Sequence, residues 1–290
     1  MPNKKSENSG IYKYNQEIIK LKKKKSKIKI IHTGNYNSYI NTLFYKFLLI
    51  PIYLIFNSYK FKTVILPEEG YAFLVIFSLA KKNKIIIHDY RRIFSIHHKI
   101  KLKEKIKQLY LNINFFFLNK FKKIIVPSKF TKKLILKNLS IDKNKIDFIP
   151  NIINFNNKRP IFNKKFNAIR EVYKKKFTVM SITSNETRKN SDTLIEIARE
   201  LGDTNFIIIG NLGNKKLPKN IYNFKNLNNE NLIYLFDITN IYIDVSIFEG
   251  FGRCLIEAQS FNLNVICFNT EINREIINKS GFLINSRNKK

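Results

Sequence analysis

Two cysteines, no tryptophan, nine glycines and seven prolines in 290 residues exclude several architectures at once. Cys254 and Cys267 are too few for a disulfide scaffold or a zinc cluster, which points to a reducing compartment. The histidines at 32, 88, 97 and 98 do not show metal-ligand spacing, so no metal is expected. Long apolar runs are also missing. The strongest, FLLIPIYLIF at 47–56, is about half the length that spans a bilayer and contains Pro51. It reads as a buried helix or as a segment lying on a membrane surface. The N-terminal stretch MPNKKSENSGIYKYNQEIIKLKKKKSKIKI lacks the apolar core of a signal peptide. Residues 1–25 therefore read as a basic arm, and a cytoplasmic protein is expected.

Acidic residues are scarce. The 53 Lys+Arg against 21 Asp+Glu leave a net charge of +32, a field that draws nucleic acid, acidic membrane or phosphorylated ligands. The lysines travel with abundant Ile and Asn, the set an AT-rich genome favours, so compositional drift is an equal explanation. They are spread through the whole chain without a groove-reading or base-stacking signature, so no nucleic-acid partner is expected.

What the chain does have is 44% apolar residues, arranged as short runs alternating with helix-like segments. That alternation is the pattern of α/β architecture. Strands are expected at 27–33, 63–67, 84–88 and 123–127, continuous Ile/Val runs of the kind buried in parallel sheets, with helices near 37–55, 71–81, 102–118 and 129–139. A polar, basic, proline-containing stretch then marks a boundary near 155–175. Beyond it the sequence predicts strands at 177–183, 205–210, 240–246 and 264–269, a strand or loop at 221–226, and helices at 191–201, 229–236, 253–261 and 271–278. The chain thus divides into the arm, a first domain over 26–160 and a second over 161–290. Both are expected to be doubly wound parallel sheets facing a cleft, with ligand at the carboxyl ends of strands.

In the second domain, IYIDVS runs into IFEGFGRCLIEA, which places a Gly-Phe-Gly turn between a strand and a helix. The free N–H groups at a helix start favour phosphate, and Gly250 and Gly252 would let the backbone turn sharply and approach it. Arg253 adds a cation, while Glu249 and Glu257 lie on either side as acceptors for sugar hydroxyls. Read locally, the same residues more readily fit a turn with ordinary helix-dipole chemistry.

FEGFGRCLIEA resembles the E-x7-E signature of retaining glycosyltransferases of family 4, two-domain enzymes of the GT-B fold. Other stretches resemble the family in the same order: KIIIHD (84–89), VPSKFTKKLI (126–135), FIPNIINF (148–155), SNETRKNSDTLIEIA (184–198), NLNNENLIYLFDITNIYIDVS (226–246) and NVICFNTEINREIINKSGFLIN (264–285). The resemblance implies a first domain for the acceptor and a second for a nucleotide-diphosphate sugar, with no cofactor besides that co-substrate. It implies Glu249 near the reacting carbon, Glu257 at the ribose, the backbone of Phe251, Gly252 and Arg253 at the diphosphate, Lys189 at phosphate, and His88 at the sugar. Retention without a covalent intermediate and without a metal would follow. The basic face and the segment 47–56 would suit a peripheral enzyme on an anionic membrane surface, with a saccharide or lipid-linked acceptor.

This sequence departs from the family at several points, among them Asn264 at a usual proline and Gly34 alone in the turn after the first strand. No arginine precedes the lysine at the usual place, leaving Arg188, whose adjacency to Lys189 predicts a divergent direction. Asn190 stands where a glycine usually follows that lysine. Further helices expected after GFLIN do not follow in the sequence to Lys290. Two other readings stay open, an inactive homologue acting as a partner subunit and a basic nucleic-acid-binding protein.

Overall fold

The computed structural model describes residues 10–23, 39–90, 102–151, 153, 176–225, 227–277 and 281–285. The expected strand at 27–33 and the linker at 155–175 lie outside the described residues. The chain divides into two compact units, Met1–Ile152 and Ile153–Lys290.

In the first unit, strands β1 (Thr63–Leu66), β2 (Lys82–Ile86), β3 (Lys123–Val126) and β4 (Ile146–Phe148) form a parallel sheet in that spatial order. Alternation along the strands decides the two cores. Ile85, Ile87, Ile124 and Val126 join the main core with residues of helices α3 (Ile50–Asn57), α4 (Leu102–Phe115) and α5 (Lys129–Asn138), while Ile86 and Ile125 face the other way. That second face is covered by helix α1 (Gly10–Lys23) through Tyr14 and Ile18, a helix the sequence reading passed over as part of the basic arm. The signal was present: Ile11, Tyr14, Ile18 and Leu21 recur at helical spacing among the lysines. The Tyr14 hydroxyl donates to the Ile149 carbonyl at 2.6 Å and Asn15 to that of Pro67 at 3.1 Å, tying α1 to the ends of β4 and β1.

The helix expected at 37–55 occurs as α2 (Tyr39–Phe44), a π-helical turn Tyr45–Leu49, and α3. Pro51 supplies the reason, since it has no N–H for the preceding turn and its ring crowds the carbonyl four residues back. The expected helix at 71–81 is instead a 3₁₀ segment, Glu69–Phe77. Its tighter backbone is met by side chains of α4: Asn114 Oδ1 accepts from the Phe73 N–H at 3.1 Å, and the Tyr110 hydroxyl donates to the Gly70 carbonyl.

The second unit is a six-stranded sheet of β5 (Thr178–Ile182), β6 (Asn205–Ile209), β7 (Ile221–Phe224), β8 (Ile241–Asp244), β9 (Asn264–Phe268) and β10 (Gly281–Ile284). All neighbouring pairs are parallel, in the order β10-β9-β8-β5-β6-β7. The order reverses between β5 and β8, which is the topological switch point of a doubly wound sheet. Helix α6 (Ser191–Glu200) packs on one face with Val179, Phe206 and Ile208. Helices α7 (Asn229–Asp237), α8 (Arg253–Ser260) and α9 (Glu271–Ile277) pack on the other with Met180, Ile207 and Tyr242. Strand β10 was not anticipated, and the segment 221–226 resolves as a strand.

Candidate functional site

At the switch point β5 and β8 pair for only two positions, Val179 with Ile241 and Met180 with Tyr242. Beyond them the Ile182 N–H, with no strand partner on that side, donates at 3.2 Å to the hydroxyl of Tyr242. Tyr242 is fully buried, and burial pushes its phenol well above the ordinary value, so it stays a neutral wedge between the strands. Sequence reasoning missed it, because a tyrosine in a strand usually means only packing.

Two loops leave the carboxyl ends of these strands and are joined by a backbone bond from the Ile247 N–H to the Arg188 carbonyl at 2.8 Å. The β5 loop is held close to the loop after β6. A Cβ on Gly210 would lie 1.8 Å from the Thr183 carbonyl oxygen, so only glycine fits there. The loop closes in a 3₁₀ turn, Thr187–Lys189, and Asn190 then adopts a left-handed conformation at φ 49° to start α6. That conformation explains the family's glycine at this place, and asparagine is among the side chains that tolerate it best.

Arg188 and Lys189 converge. Lys189 Nζ lies 2.6 Å and Arg188 Nη1 2.9 Å from the same oxygen, Glu249 Oε1. The divergence expected of adjacent residues does not occur here, because the 3₁₀ turn presents both side chains to the β8 loop and the longer guanidinium spans the difference. Arg188 Nε also holds Glu186 at 2.8 Å. Burial alone would raise the Glu249 carboxyl, but the Lys189 ammonium and the Arg188 guanidinium override it and hold it down to about 2. Burial would likewise strip the Lys189 proton, and the carboxylates of Glu249 and Asp244 more than reverse that, leaving it firmly cationic.

Gly252 supplies the other turn. It sits at φ 69° as the residue preceding α8, whose N-terminus has no side-chain cap. Gly250 does not share the positive φ, so its expected part in the sharp turn falls to Gly252 alone. One turn into the helix, Arg253 Nε donates to Glu257 Oε1 at 2.7 Å, with the glutamate almost fully buried. Phe251 lies partly buried between the two glycines. Burial, followed by the nearby Glu257 charge, pushes the Cys254 thiol up to about 12, so it is no nucleophile at neutral pH. The structure thus brings Arg188, Lys189, Glu249, Gly250, Phe251, Gly252, Arg253 and Glu257 to the carboxyl edge of one sheet.

His88 belongs to the first unit, just beyond β2. It is buried, its Nε2 lies 2.9 Å from the Pro67 carbonyl, and its ring meets Tyr14 edge-on. A carbonyl can only accept, so Nε2 carries the proton and Nδ1 is the acceptor of that tautomer. Burial lowers its pKa, keeping the ring neutral. Its backbone N–H donates at 3.2 Å to Glu69, a buried carboxyl that desolvation first, and Asp89 and Glu68 next, push up to about 8. Among the described residues no group of three or more His, Cys, Asp or Glu could hold a metal ion.

Comparison with known proteins divides the chain the same way. A model described as Glycosyltransferase Family 4 matches residues 21–157, and one described as Glycosyl transferases group 1 matches residues 162–290. No curated protein matches the sequence. Among solved structures, Alr3699/HepE of Anabaena, in complex with UDP-glucose, is 15% identical with a TM-score of 0.64, over 81% of this chain and 68% of that one. A TarM variant of S. aureus, in complex with Fondaparinux, alpha-GlcNAc-glycerol and UDP, is 20% identical with a TM-score of 0.63, over 83% of this chain. The match spans 49% of TarM, about half its length. Sucrose-phosphate synthase of Thermosynechococcus elongatus is 13% identical with a TM-score of 0.65, over 89% of this chain and 70% of its own. These likenesses are of fold, and with two family models that together take in nearly the whole sequence, the chain belongs to the group 1, family 4 glycosyltransferases of GT-B fold.

Proposed function

We propose that the protein transfers a sugar from a nucleotide-diphosphate sugar to an acceptor hydroxyl with retention at the anomeric carbon. The observation that carries this reading is the convergence of Arg188 and Lys189 on Glu249 at the switch point, beside the uncapped start of α8. Two cations held at one carboxylate oxygen are arranged to accept a diphosphate in its place. The donor phosphates displace Glu249 and rest on Lys189, Arg188 and the backbone of Phe251, Gly252 and Arg253. Glu249, released, accepts hydrogen bonds from the sugar, and Glu257, oriented by Arg253, accepts from the ribose.

As the bond from the anomeric carbon to the diphosphate breaks, negative charge grows on the leaving phosphate, where the two preorganised cations are worth most. The acceptor hydroxyl bonds to the same face of the anomeric carbon and gives its proton to the departing phosphate oxygen, which leaves no covalent enzyme intermediate. The charge of Lys189 and Arg188 meets the electrostatic need, so the reading calls for no divalent metal. Within the first unit, His88 Nδ1 offers an acceptor for a sugar hydroxyl. The complexes of HepE and TarM make UDP-sugars the first donors to try and a saccharide, free or lipid-linked, the first acceptor.

The test is Glu249→Gln. Transfer from the donor that the wild type uses falls by about 10²-fold or more, because the sugar loses its charged acceptor. Binding of the bare nucleoside diphosphate tightens several-fold in the same variant, because the competing carboxylate is gone. Unchanged transfer would overturn the proposal, as would weaker diphosphate binding.

A further inference from the structure

Helix α4 carries apolar side chains on two faces. Leu111 and Phe115 are buried in the first unit's core. Leu102, Ile106, Leu109, Ile113 and Phe116 recur every three or four residues on the other side and are between 49% and 80% exposed. At about 1.5 Å per residue this stripe runs roughly 20 Å. It does not stand alone. Phe47 stacks on Phe73 at 5.2 Å and meets Tyr110 of α4 edge-on at 6.3 Å between centroids, which sets the α2–α3 segment beside α4. On that segment Phe44, Phe47, Ile52 and Phe56 are themselves 43% to 67% exposed. A continuous apolar face of two helices is well beyond the scattered exposed side chains of an ordinary surface.

Charge identifies what covers it. Residues 39–62 carry the exposed Lys60 and Lys62 and no acid, Lys46 being drawn over the Tyr71 and Tyr110 rings, and residues 102–122 carry five lysines against Glu104 alone. Lys105 flanks the α4 stripe, and it and Lys107 are exposed. A three-four apolar spacing would also suit a helix from a second copy, but pairing two such faces would press lysine against lysine, and like charges set together at an interface are costly. The two-helix width also exceeds the single seam that a helix pair needs. An anionic lipid surface satisfies both features, with the apolar side chains entering the acyl boundary and the lysine stems reaching up to the headgroups. Among the described residues no helix is long and apolar enough to cross a membrane, so the contact proposed for this face is one of lying on the surface.

The geometry points to this α4 and α2–α3 face of the first unit as a docking surface for an anionic membrane. The inference rests on exposure and charge and is independent of the donor reading.

The test is flotation of the full chain with vesicles of phosphatidylcholine alone or of an equal mixture with phosphatidylglycerol, without donor. The wild type floats with the mixed vesicles and not with the neutral ones. Leu109→Glu combined with Ile113→Glu cuts the bound fraction about tenfold. Leu102→Glu with Phe116→Glu, at the two most exposed positions, does the same and guards against misfolding of the first pair. Leu201→Glu, at a comparably exposed leucine of the second unit, leaves binding unchanged. Stripe variants that bind like the wild type would reduce the attraction to diffuse charge and overturn the proposal. A dimer in sedimentation velocity that the same variants abolish would overturn it too, in favour of a second copy. Neither failure touches nucleotide binding, which is read separately by titration with UDP.

Discussion

Glu69 and Glu249 follow the carboxyl ends of parallel strands, one in each unit, both largely removed from water, and they titrate in opposite directions. At Glu69 desolvation, joined by the carboxylates of Asp89 and Glu68, outweighs the backbone N–H groups that favour the charged form, so its proton stays until about pH 8. Glu249 has Lys189 and Arg188 against the same oxygen, and its carboxyl falls to about 2. The contrast teaches that burial by itself makes a carboxyl neutral, and that a charge persists inside a protein only where opposite charge is built around it. The second unit keeps a charged cluster that an anionic ligand can reorganise. The first keeps a neutral hydrogen-bonding corner around His88.

The comparison breaks most severely at Lys189. Lys189→Ala leaves Glu249 with one cation and removes charge from the proposed phosphate site. Transfer is expected to fall by about 10²–10³-fold, and apo stability by about 3 kcal/mol, read by initial rates and by urea denaturation. Adding Glu249→Gln to the same chain restores most of the stability and none of the transfer, which separates the two roles of the lysine.

The next effect is on pH dependence. Glu69 has a folded pKa raised above its ordinary 4.5, so its contribution is complete at acid pH and is lost as pH rises through about 8. Glu249 has a folded pKa depressed below 4.5, so its contribution is complete above the ordinary carboxylate range and is lost as pH falls toward 2. Glu69→Gln is isosteric with the protonated acid and removes only the alkaline loss. At pH 9 the variant should melt above the wild type, by about 2–4 °C for each kcal/mol recovered. At about pH 3.5, below the ordinary carboxylate value, the two should nearly coincide in a scanning calorimeter. Coincidence at both pH values would mean that folding does not raise the Glu69 carboxyl.

The smallest effect concerns the turn that brings Arg188 and Lys189 together. Asn190→Gly relaxes a left-handed residue and is expected to change stability by less than about 1 kcal/mol, whereas Asn190→Ala costs about 1–2 kcal/mol for the same conformation. Its side chain also accepts from Thr193 Oγ1 at 3.1 Å, which both changes remove, so their difference reports the backbone alone. Chemical denaturation of the two variants measures it.

Much of this molecule was legible from the residues. In the second unit strand runs and helix periods were both clear, and β5, β6, β8 and β9 lie where the Ile/Val runs predict them. The Glu249 loop and its turn into α8 followed from strand, glycine and helix in succession. In the first unit α1 was concealed because its apolar residues are few and surrounded by lysine, and the 3₁₀ segment at 69–77 because its backbone partners lie on α4, far away in sequence. Strand β4 went unseen because IDF is three residues long and has no period to read.

By itself the sequence determined the alternation of strand and helix, the doubly wound class, the excess of positive charge and the order of the motifs. These are local or summed properties, set by side-chain period and composition. Only the tertiary structure decided that Arg188 takes its place beside Lys189, that Glu249 is a charged acceptor while Glu69 is a neutral acid, and that α4 leaves an apolar stripe in water. Each depends on distances between residues far apart in the chain, and a charge, a pKa or an exposed face is set by neighbours in space.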